Sequence, residues 1–593
     1  MIEDPTSRHL ALRAEPRLAE LNRAGVLDAA DIHVATRVAA LADEASADVR
    51  LAVALVVRAA RLGAVCVDLL ELPAPSVLAE DPELTLAWPQ QQPWLDALRR
   101  STLIARGVLR LEGSLLYLDR HWREEKQVCD DLLARLRLRA PEIEEIPLRA
   151  ALHRMFPPGW EEQRDATERA TRQWTTVLTG GPGTGKTASV ARLLAVLSEQ
   201  HEAGVGRPPR IALAAPTGKA AARLQESVAR ERDSAQMPPQ DAARLVGIGA
   251  STVHRLLGWR PDNSTRFRHH RDNPLPYDVV VVDEVSMVSL TQMTRLLEAV
   301  RPTTRLVLVG DPDQLASVEA GAVLADLVAG FRERADSPVV RLQTTHRTAD
   351  DEGGRVLDAL ARAMRESRVE EALALLRSPN EAVRLVDPDD REATATVRAA
   401  VVSRAVDIAD AAQESQTEAA TALLEEHRLL CAHREGQFGV AGWNRQVVHH
   451  LAESAGVAHL EEWYAGRPVL ITANDRGLGL SNGDLGVTVR ADDGRLRVMV
   501  RLDGELKSFA PTRLTGVETV YAMTVHKSQG SEARAVTVVL PPADSPLLTR
   551  ELLYTAVTRA RQSVTVIGTE ESVRVAVART VQRASGLARR LQR

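Results

Sequence analysis

The chain has 593 residues, which is too long for one hydrophobic core and predicts three or four domains. Hydrophobic residues make up 45% of the sequence and charged residues 26%, and the formal net charge is −5. This balance is typical of a globular protein and excludes a globally basic nucleic-acid binder, so any path for DNA has to be a local groove.

The three cysteines, Cys66, Cys129 and Cys431, lie far apart and show no CxxC spacing. They form neither a disulfide framework nor a zinc cluster, which favours a reducing compartment. The N-terminus lacks a basic segment that leads into an apolar stretch, and no apolar run reaches membrane-spanning length. From the sequence we expect a cytoplasmic protein.

Residues 1–150 are predicted to form a mostly helical domain, with helical segments at 34–45 and 47–62 and a short apolar hairpin near Val108–Leu118. The region has no phosphate-binding loop, no carboxylate pair at a strand end and no metal-ligand spacing. We expect its dense Leu and Val segments to dock the chain onto a partner. The alternative is a self-contained helical domain that stabilises the domain after it.

A parallel α/β domain is predicted for residues 151–340, because short β-branched runs alternate with amphipathic helices after the break at Phe156–Gly159. Such alternation is typical of parallel strands joined by crossover helices. The predicted strands are Thr175–Thr179, Ile211–Ala215, Val279–Val282 and Arg305–Val309.

A second α/β domain is predicted for residues 341–593, with residues 380–426 expected to be helical. Its predicted strands are Leu429–Ala432, Val469–Thr472, Val536–Leu540 and Val564–Ile567. Residues 476–520 differ, because three short strands there are separated by Asp-Gly turns. We interpret them as a small antiparallel β-barrel inserted in the second domain; its strands are Gly486–Arg490, Leu496–Leu502 and Glu505–Phe509.

The motif G-x-x-x-x-G-K-T follows the first predicted strand and precedes a helix. In this context the glycines let backbone N–H groups point at phosphate oxygens, and the helix N-terminus adds positive charge. The lysine would reach the β- and γ-phosphates, and the threonine hydroxyl would bind Mg²⁺. The loop residues are Gly180, Gly181, Pro182, Gly183, Thr184, Gly185, Lys186 and Thr187.

Candidate catalytic residues follow two further predicted strands. Asp283 and Glu284 follow a run of four valines, where parallel sheets bind ligands. Asp283 would hold Mg²⁺ through water, and Glu284 would orient and deprotonate the attacking water. After the next predicted strand, Gln314 can report whether a γ-phosphate is present. The sequence therefore predicts an ATP-hydrolysing site at one edge of the first sheet.

More segments continue this pattern, and together with the phosphate-binding loop they include three of the chain's five lysines, whereas 70 basic residues are arginine. A lysine retained in such a chain favours a role for its compact ammonium group. The segments are Ala215-Pro216-Thr217-Gly218-Lys219-Ala220-Ala221, Thr252-Val253-His254-Arg255-Leu256-Leu257-Gly258, Thr344-Thr345-His346-Arg347, Tyr521-Ala522-Met523-Thr524-Val525-His526-Lys527-Ser528-Gln529-Gly530-Ser531-Glu532 and Leu553-Tyr554-Thr555-Ala556-Val557-Thr558-Arg559-Ala560-Arg561.

Together these elements resemble motifs I to VI of superfamily 1 helicases, with Gln163 in the place of the glutamine that reads adenine. The string that contains His526 and Lys527 is specific to the 5′-to-3′ branch. Within it, the chain resembles the RecD family, the alpha subunits of exodeoxyribonuclease V (RecBCD). The resemblance covers nearly the whole chain and is strong from 160 to 565. Segments that carry it outside the motifs are Gly63–Val67, Leu116–Trp122, Leu429–Val440 and Asn482–Gly486.

The resemblance implies an α/β fold of two RecA-like domains, a helical N-terminal domain and an SH3-like inserted barrel. ATP and Mg²⁺ would lie between the RecA-like domains, with Lys186, Thr187, Asp283, Glu284 and Gln314 on one wall. Arginine fingers from the other wall would stabilise charge on the transferred phosphoryl group only when the cleft closes. The implied fingers are Arg347 and Arg559.

The resemblance also implies a groove for single-stranded DNA across both domains. Small hydroxyls and lysines grip phosphates without reading bases, as a motor that passes any sequence requires. Phe267–Asp278 is either the short hairpin that splits the duplex in related helicases or a loop. The candidate contacts are Thr217, Lys219, Thr252, His254, Thr524, His526 and Lys527.

The expected function is an ATP-dependent 5′-to-3′ single-stranded DNA translocase or helicase, acting in double-strand-break repair and recombination with RecB-like and RecC-like subunits. The RecC-like subunit would bind residues 1–150. One alternative is a stand-alone 5′-to-3′ helicase, and another is a partner-binding regulatory subunit with little motor output. No Asp/Glu-x-Lys constellation accompanies a suitable sheet, so DNA cleavage is assigned to another subunit.

Overall fold

The computed structural model describes residues 9–79, 86–260, 263–345, 352–436, 438–454, 461–475, 477–502, 504–581 and 583–593. Within these ranges, no helix has the length and apolar character needed to cross a bilayer.

The N-terminal region is mostly helical, as predicted, and contains one small antiparallel sheet. The predicted hairpin near Val108–Leu118 is confirmed, since its two strands pair with Leu111 opposite Leu116. A third strand, not predicted, pairs with the second strand of the hairpin. The helices are α1 Pro16–Arg23, α2 Ala29–Leu41, α3 Ala47–Arg61, α4 Pro75–Leu78, α5 Gln91–Arg100, α6 Thr102–Ala105 and α7 Asp119–Leu136; the strands are β1 Cys66–Asp68, β2 Leu109–Glu112 and β3 Leu115–Leu118.

The first α/β region contains a six-stranded, fully parallel sheet and a short separate hairpin. All four predicted strands are present in the sheet, and two short strands at its edges were missed. The helices are α8 Glu145–Met155, α9 Glu161–Thr171, α10 Lys186–Val205, α11 Gly218–Arg232, α12 Pro239–Ala243, α13 Val253–Leu256, α14 Leu290–Ala299 and α15 Val323–Gly330; the strands are β4 Thr175–Gly180, β5 Ile211–Ala215, β6 Ala250–Thr252, β7 Trp259–Arg260, β8 Asn263–Phe267, β9 Val279–Val282, β10 Arg305–Gly310 and β11 Val339–Leu342.

The strand order of this sheet, β11-β4-β10-β9-β5-β6, decides where the motifs meet. The strands β4, β10 and β9 are neighbours, so the loops at their carboxyl ends lie side by side. Strands β5 and β6 are the next pair along the sheet. Parallel strands bind ligands at this edge, which places a nucleotide site and a second site next to each other on one surface.

The hairpin formed by β7 and β8 lies before the segment considered for it. Its strands run over Trp259–Phe267, whereas the sequence analysis considered Phe267–Asp278. The later segment contains only one isolated bridge, between His270 and Asn273. Phe267 is therefore the last residue of a strand and not the first residue of the hairpin.

The second α/β region has a five-stranded parallel sheet in the order β12-β21-β20-β13-β19 and an inserted antiparallel sheet. Two strands of the parallel sheet, β12 and β19, were not predicted. The helices are α16 Glu352–Arg365, α17 Val369–Arg377, α18 Arg391–Gln413, α19 Thr417–Glu426, α20 Val440–Ser454, α21 Arg550–Val557, α22 Glu570–Ala578 and α23 Leu587–Gln592; the strands are β12 Val383–Val386, β13 His427–Cys431, β14 Pro468–Ile471, β15 Leu485–Arg490, β16 Leu496–Leu502, β17 Glu505–Phe509, β18 Val517–Thr519, β19 Ala522–Thr524, β20 Ala533–Val539 and β21 Ala560–Ile567.

The insertion is a five-stranded antiparallel sheet in the order β17-β16-β15-β14-β18. The prediction that Val469–Thr472 forms a strand of the parallel sheet was wrong, because β14 pairs antiparallel with β15 and β18. A buried strand of four apolar residues reads the same in either kind of sheet. The insertion has its own apolar cluster, which includes Val469, Val498 and Phe509.

The N-terminal region and the first parallel sheet share one apolar core. Tyr117 and Leu132 belong to the same buried cluster as Val282 and Leu308. Arg135 of α7 reinforces this contact, since its guanidinium donates to Thr175 Oγ1 at 2.7 Å. The N-terminal region therefore packs directly against the first α/β region.

The C-terminal segment after α22 returns across the molecule and packs on the N-terminal region. Leu587 and Leu591 of α23 enter the core that the N-terminal region shares with the first sheet. Fully buried Glu125 of α7 accepts hydrogen bonds from the Gly586 amide at 2.9 Å and from Arg590 Nε at 3.0 Å. The buried Glu125 carboxylate and the apolar residues of α23 thus hold the C-terminal segment against the N-terminal region.

Replacing Glu125 with glutamine is expected to destabilise the fold by about 3 kcal/mol, because Arg590 loses the charge of a buried partner. The matched control is Glu71→Gln, since Glu71 is an exposed partner of neighbouring Arg589 at 3.8 Å. An exposed pair contributes about 0.5 kcal/mol. Urea denaturation measures the free energy of unfolding of both variants. An equal decrease in the two variants would show that the Glu125 contact does not anchor the C-terminal segment.

Candidate functional site

The phosphate-binding loop joins β4 to α10 with the geometry that its sequence requires. Gly185, with φ of 77°, is the residue before the first turn of α10, and this left-handed conformation favours glycine. A Cβ on Gly180 would lie 2.6 Å from Thr184 Oγ1 and 2.9 Å from the Leu342 carbonyl oxygen. These glycines let the loop wrap tightly in front of the helix N-terminus, where anions bind.

Lys186, the first residue of α10, is folded back on the loop. Its Nζ donates hydrogen bonds to the carbonyl oxygens of Gly180 at 2.6 Å and Gly181 at 2.8 Å. When a nucleotide binds, its phosphate oxygens would therefore compete with these two carbonyl oxygens for the ammonium group. Thr187 follows in the same turn, and Pro182 and Gly183 complete the loop.

Gln163, in α9, is fully buried next to the other end of the loop. Its Nε2 donates to the Thr184 carbonyl oxygen at 3.2 Å. This contact connects the glutamine expected to read adenine with the loop expected to hold the phosphates.

Asp283 and Glu284 follow β9 and lie at the same edge. The Asp283 amide donates to the Ala214 carbonyl oxygen at 2.9 Å, which continues the sheet to this residue. Burial and the neighbouring charge of Glu284 raise the pKa of the Asp283 carboxyl. Glu284 has φ of 52°, a left-handed conformation that costs a non-glycine residue about 1 kcal/mol or more.

Gln314 follows β10 and is almost completely buried. Its Nε2 donates at 3.0 Å to Oδ2 of Asp311. The same carboxylate oxygen accepts a hydrogen bond at 2.9 Å from Tyr554 Oη, in α21 of the second α/β region. Asp311 therefore joins the candidate sensor Gln314 to the other side of the cleft.

Two more hydrogen bonds cross the cleft one residue further along. The Leu315 amide donates to Thr555 Oγ1, and the Leu315 carbonyl oxygen accepts from Gln529 Nε2, both at 2.8 Å. An ion pair between Arg223 and Glu532, also at 2.8 Å, adds a third connection. The nucleotide edge of the first sheet is thus tied to the segments that resemble motifs V and VI.

Arg559 lies beside this network with only 3% of its surface exposed. Its Nε donates to the Thr555 carbonyl oxygen at 3.1 Å, and its two Nη atoms reach Ser531 and Thr558. Burial lowers the pKa of the Arg559 guanidinium, and the negative charge of Glu284 acts in the opposite direction. The Arg559 guanidinium therefore lies within the electrostatic influence of Glu284 on the first sheet. Arg347, the other expected finger, lies outside the described residues.

The candidate DNA contacts on the first sheet lie beyond β9, at the carboxyl ends of β5 and β6. Thr217 and Thr252 are the N-caps of α11 and α13, and their hydroxyls accept from the amides of Ala220 and Arg255 at 3.2 Å. His254 Nδ1 lies 3.2 Å from Gln292 Nε2. Two strands of the sheet, β10 and β9, separate β5 from β4, which carries the phosphate-binding loop.

Lys219 is enclosed more than a free phosphate contact would be. Burial, with Arg428 as the largest charge acting in the same direction, lowers the pKa of its ammonium group to about 7. The inserted sheet contributes to this enclosure, because a Cβ on Gly218 would lie 2.5 Å from Ser481 Oγ. The loop before β15 therefore covers the first turn of α11 in this structure.

The candidate DNA contacts of the second sheet follow β19. Thr524 Oγ1 accepts from the Lys527 amide at 3.3 Å, and Lys527 Nζ donates to Glu518 Oε2 at 2.6 Å. Burial lowers the pKa of His526, which favours the neutral imidazole. To bind a DNA phosphate, Lys527 would therefore have to break its ion pair with Glu518.

Sequence reasoning missed the residues that connect the two sides of the cleft. Asp311, Tyr554 and Thr555 stand inside recognised motifs, so their positions were a signal, but their pairing depends on how the two sheets face each other.

A P-loop at the carboxyl edge of one parallel sheet, hydrogen-bonded to a second parallel sheet, defines a P-loop nucleoside triphosphatase of the superfamily 1 helicase class. The loop binds ATP. Family models agree along the chain: the RecBCD enzyme subunit RecD N-terminal domain matches residues 23–117, an AAA domain matches 163–320 and a UvrD-like helicase C-terminal domain matches 519–567.

Curated relatives extend this agreement to the whole chain. RecBCD enzyme subunit RecD of Mycolicibacterium smegmatis is 54% identical over 96% of this chain and 98% of its own length. That of Mycobacterium tuberculosis is 53% identical over 99% of both chains. The ATP-dependent RecD2 DNA helicase of Deinococcus radiodurans is 33% identical over 71% of this chain and 50% of its own length. The chain belongs to the RecD family.

Proposed function

We propose that this chain is the ATP-driven motor subunit of a RecBCD helicase-nuclease and moves 5′ to 3′ along single-stranded DNA in the cytoplasm. The observation that carries the proposal is the hydrogen-bonded path from Gln314 through Asp311 to Tyr554. It joins a residue beside the phosphate-binding loop to the second sheet, as conversion of ATP hydrolysis into domain movement requires. RecB and RecC would be the partners, and DNA cleavage would belong to another subunit.

Mg²⁺ is part of the proposal because the donor set fits it. Asp283 and Glu284 are adjacent carboxylates whose mutual repulsion a cation would relieve, and the Thr187 hydroxyl lies in the first turn of α10. Mg²⁺ prefers such oxygen ligands together with phosphate oxygens and water. When bound, it supplies positive charge to the phosphates. Glu284 would accept the proton of the attacking water, and Arg559 would stabilise the charge that develops on the transferred phosphoryl group.

DNA is proposed to cross the carboxyl ends of β5 and β6 and continue past β19. Thr217, Thr252 and Thr524 cap turns through their hydroxyls, so backbone amides and neighbouring cations would carry most of the phosphate contacts. Lys219 becomes available when the loop of the inserted sheet moves away from α11.

Tyr554→Phe tests the path across the cleft, because it removes one hydroxyl and keeps the buried ring. We expect DNA-stimulated ATP hydrolysis to fall about 10-fold, the scale of one lost hydrogen bond to a charged group. The matched control is Tyr464→Phe, whose hydroxyl lies 3.0 Å from Tyr521 Oη away from the cleft. Steady-state ATPase assays compare the two, and unchanged turnover in Tyr554→Phe would remove the path from the proposal.

The partner surface is proposed to include the outer face of α2. Val34 and Leu41 are 44% and 63% exposed, and their seven-residue spacing places them on one face of the helix. Deleting residues 1–150 would open the core shared with the first sheet, so point variants give a cleaner test. Exposed apolar side chains at a partner surface contribute much of its affinity.

The double variant Val34→Asp/Leu41→Asp is expected to bind RecB and RecC at least ~10-fold more weakly, while its ATPase activity is retained. The control is Val246→Asp, because Val246 is 67% exposed but belongs to the first α/β region. Pull-down with the two partner subunits measures the loss. Undiminished assembly of the double variant would place the docking surface elsewhere.

A further inference from the structure

Arg365 is an arginine of the second α/β region that reaches the phosphate-binding loop. It is the last residue of α16, whose residues Leu360 and Met364 are buried in the core of that region. Its Nη1 lies 3.3 Å from the position that a Cβ would take on Gly181. A packed helix therefore holds this guanidinium against the loop, on the opposite wall of the cleft.

Two cations converge on Gly181 from the two walls. Lys186 Nζ donates to the Gly181 carbonyl oxygen at 2.8 Å, and Arg365 lies against the same residue. The Arg365 Nε is buried and has no hydrogen-bond partner among the residues that the structure describes. Positive charges at one point, one with an unused donor, form a site for an anion.

The position of the site along the loop identifies the anion. Gln163, expected to read adenine, contacts Thr184, whereas the cations meet at Gly181. The phosphate end of a nucleotide would therefore lie on the Gly181 side. Tyr554 Oη marks the same corner, because it lies 3.2 Å from the Cβ position of Gly181 and donates to Asp311. The hydrogen-bonded path from Gln314 to Tyr554 and the Arg365 guanidinium therefore both end beside Gly181.

We infer that Arg365 binds the terminal phosphate of the bound nucleoside triphosphate and makes the closed cleft selective for triphosphate over diphosphate. The inference rests on the proposed function and adds a third arginine to Arg347 and Arg559. Because Arg365 belongs to the wall opposite the loop, its contact forms only with the cleft closed, and release of the terminal phosphate after hydrolysis would remove it.

A purely structural role for Arg365 predicts a different effect of its removal on nucleotide binding. The charge of Arg365 also acts on Asp313, a half-buried carboxyl of the first region whose pKa is raised by burial and by Asp311. If neutralising Asp313 were its only role, removing Arg365 would weaken the binding of diphosphate and triphosphate alike. The difference between the two nucleotides therefore separates a phosphate contact from a structural ion pair.

The test measures binding of a fluorescent non-hydrolysable ATP analogue and of fluorescent ADP, each with Mg²⁺, to the full chain and to Arg365→Ala and Arg365→Lys. We expect Arg365→Ala to bind the ATP analogue at least ~10-fold more weakly and ADP less than ~2-fold more weakly. Arg365→Lys keeps the charge and should lose less. The matched control, Arg355→Ala, removes an exposed arginine of the same helix and should change neither.

Equal loss of both nucleotides in Arg365→Ala and Arg365→Lys, or no loss in either, would overturn the inference and leave the proposed function intact. Failure of the wild-type chain to bind either nucleotide would overturn the proposed function and this inference together. The KM for ATP gives a second readout, since loss of a phosphate contact raises it in proportion to the loss of analogue binding.

Discussion

Replacing Lys186 with alanine is expected to lower ATP turnover at least ~10³-fold, because it removes the positive charge expected to contact the β- and γ-phosphates. Its ammonium group already contacts the carbonyl oxygens of Gly180 and Gly181. Binding of single-stranded DNA should persist, since the candidate DNA contacts of the first sheet lie at β5 and β6, which β10 and β9 separate from the strand that carries the loop. ATPase assays and fluorescence anisotropy with labelled oligonucleotide measure the two effects separately.

The control for this experiment is Lys507→Ala, which removes an exposed lysine of the inserted sheet. It should leave turnover unchanged. Turnover near the wild-type rate in Lys186→Ala would refute the assignment of the phosphate-binding loop.

Arg559→Ala is expected to bind ATP almost normally and to lose about 10³-fold in hydrolysis, the effect typical of an arginine finger. Arg559 is buried, is held by hydrogen bonds to Thr555, Thr558 and Ser531, and interacts electrostatically with Glu284. Its charge therefore acts where negative charge develops during phosphoryl transfer. Single-turnover hydrolysis and equilibrium nucleotide binding distinguish the two quantities.

Arg534→Ala is the matched control, because Arg534 is an exposed arginine of the same region that contacts Gln562. It should retain full activity. If Arg559→Ala lost nucleotide affinity but kept high residual turnover, Arg559 would be a binding residue and the proposed geometry of the cleft would be wrong. A thermal unfolding curve of each variant reports whether a loss arises from misfolding.

Much of this fold could be predicted because its signals are local. The run Val279–Val282 and the loop ending at Lys186 each read clearly within a few residues, so the strands and their chemistry were identified together. The short edge strands β6 and β11 were missed because three or four residues carry little periodicity. Whether Val469–Ile471 pairs parallel or antiparallel depends on distant strands, and a buried apolar run does not encode its partners.

In the candidate site, too, the local features could be predicted from the sequence and the contacts between distant residues could not. Residues on one loop, such as Gly185 and Lys186, were predicted as a group and lie together in the structure. Contacts across the cleft, such as that of Tyr554 with Asp311, join residues more than 240 positions apart and depend on how two domains face each other. Enclosure of Lys219 by the inserted sheet is also a tertiary effect.

The most direct test of the central claim is displacement of streptavidin from single-stranded DNA that carries biotin at one end. With ATP and Mg²⁺, the isolated chain should displace streptavidin from the 3′ end and leave it on the 5′ end, because a motor that moves 5′ to 3′ pushes against the 3′ block. Lys186→Ala should displace neither. Displacement from the 5′ end alone, or equal displacement by Lys186→Ala, would contradict the account.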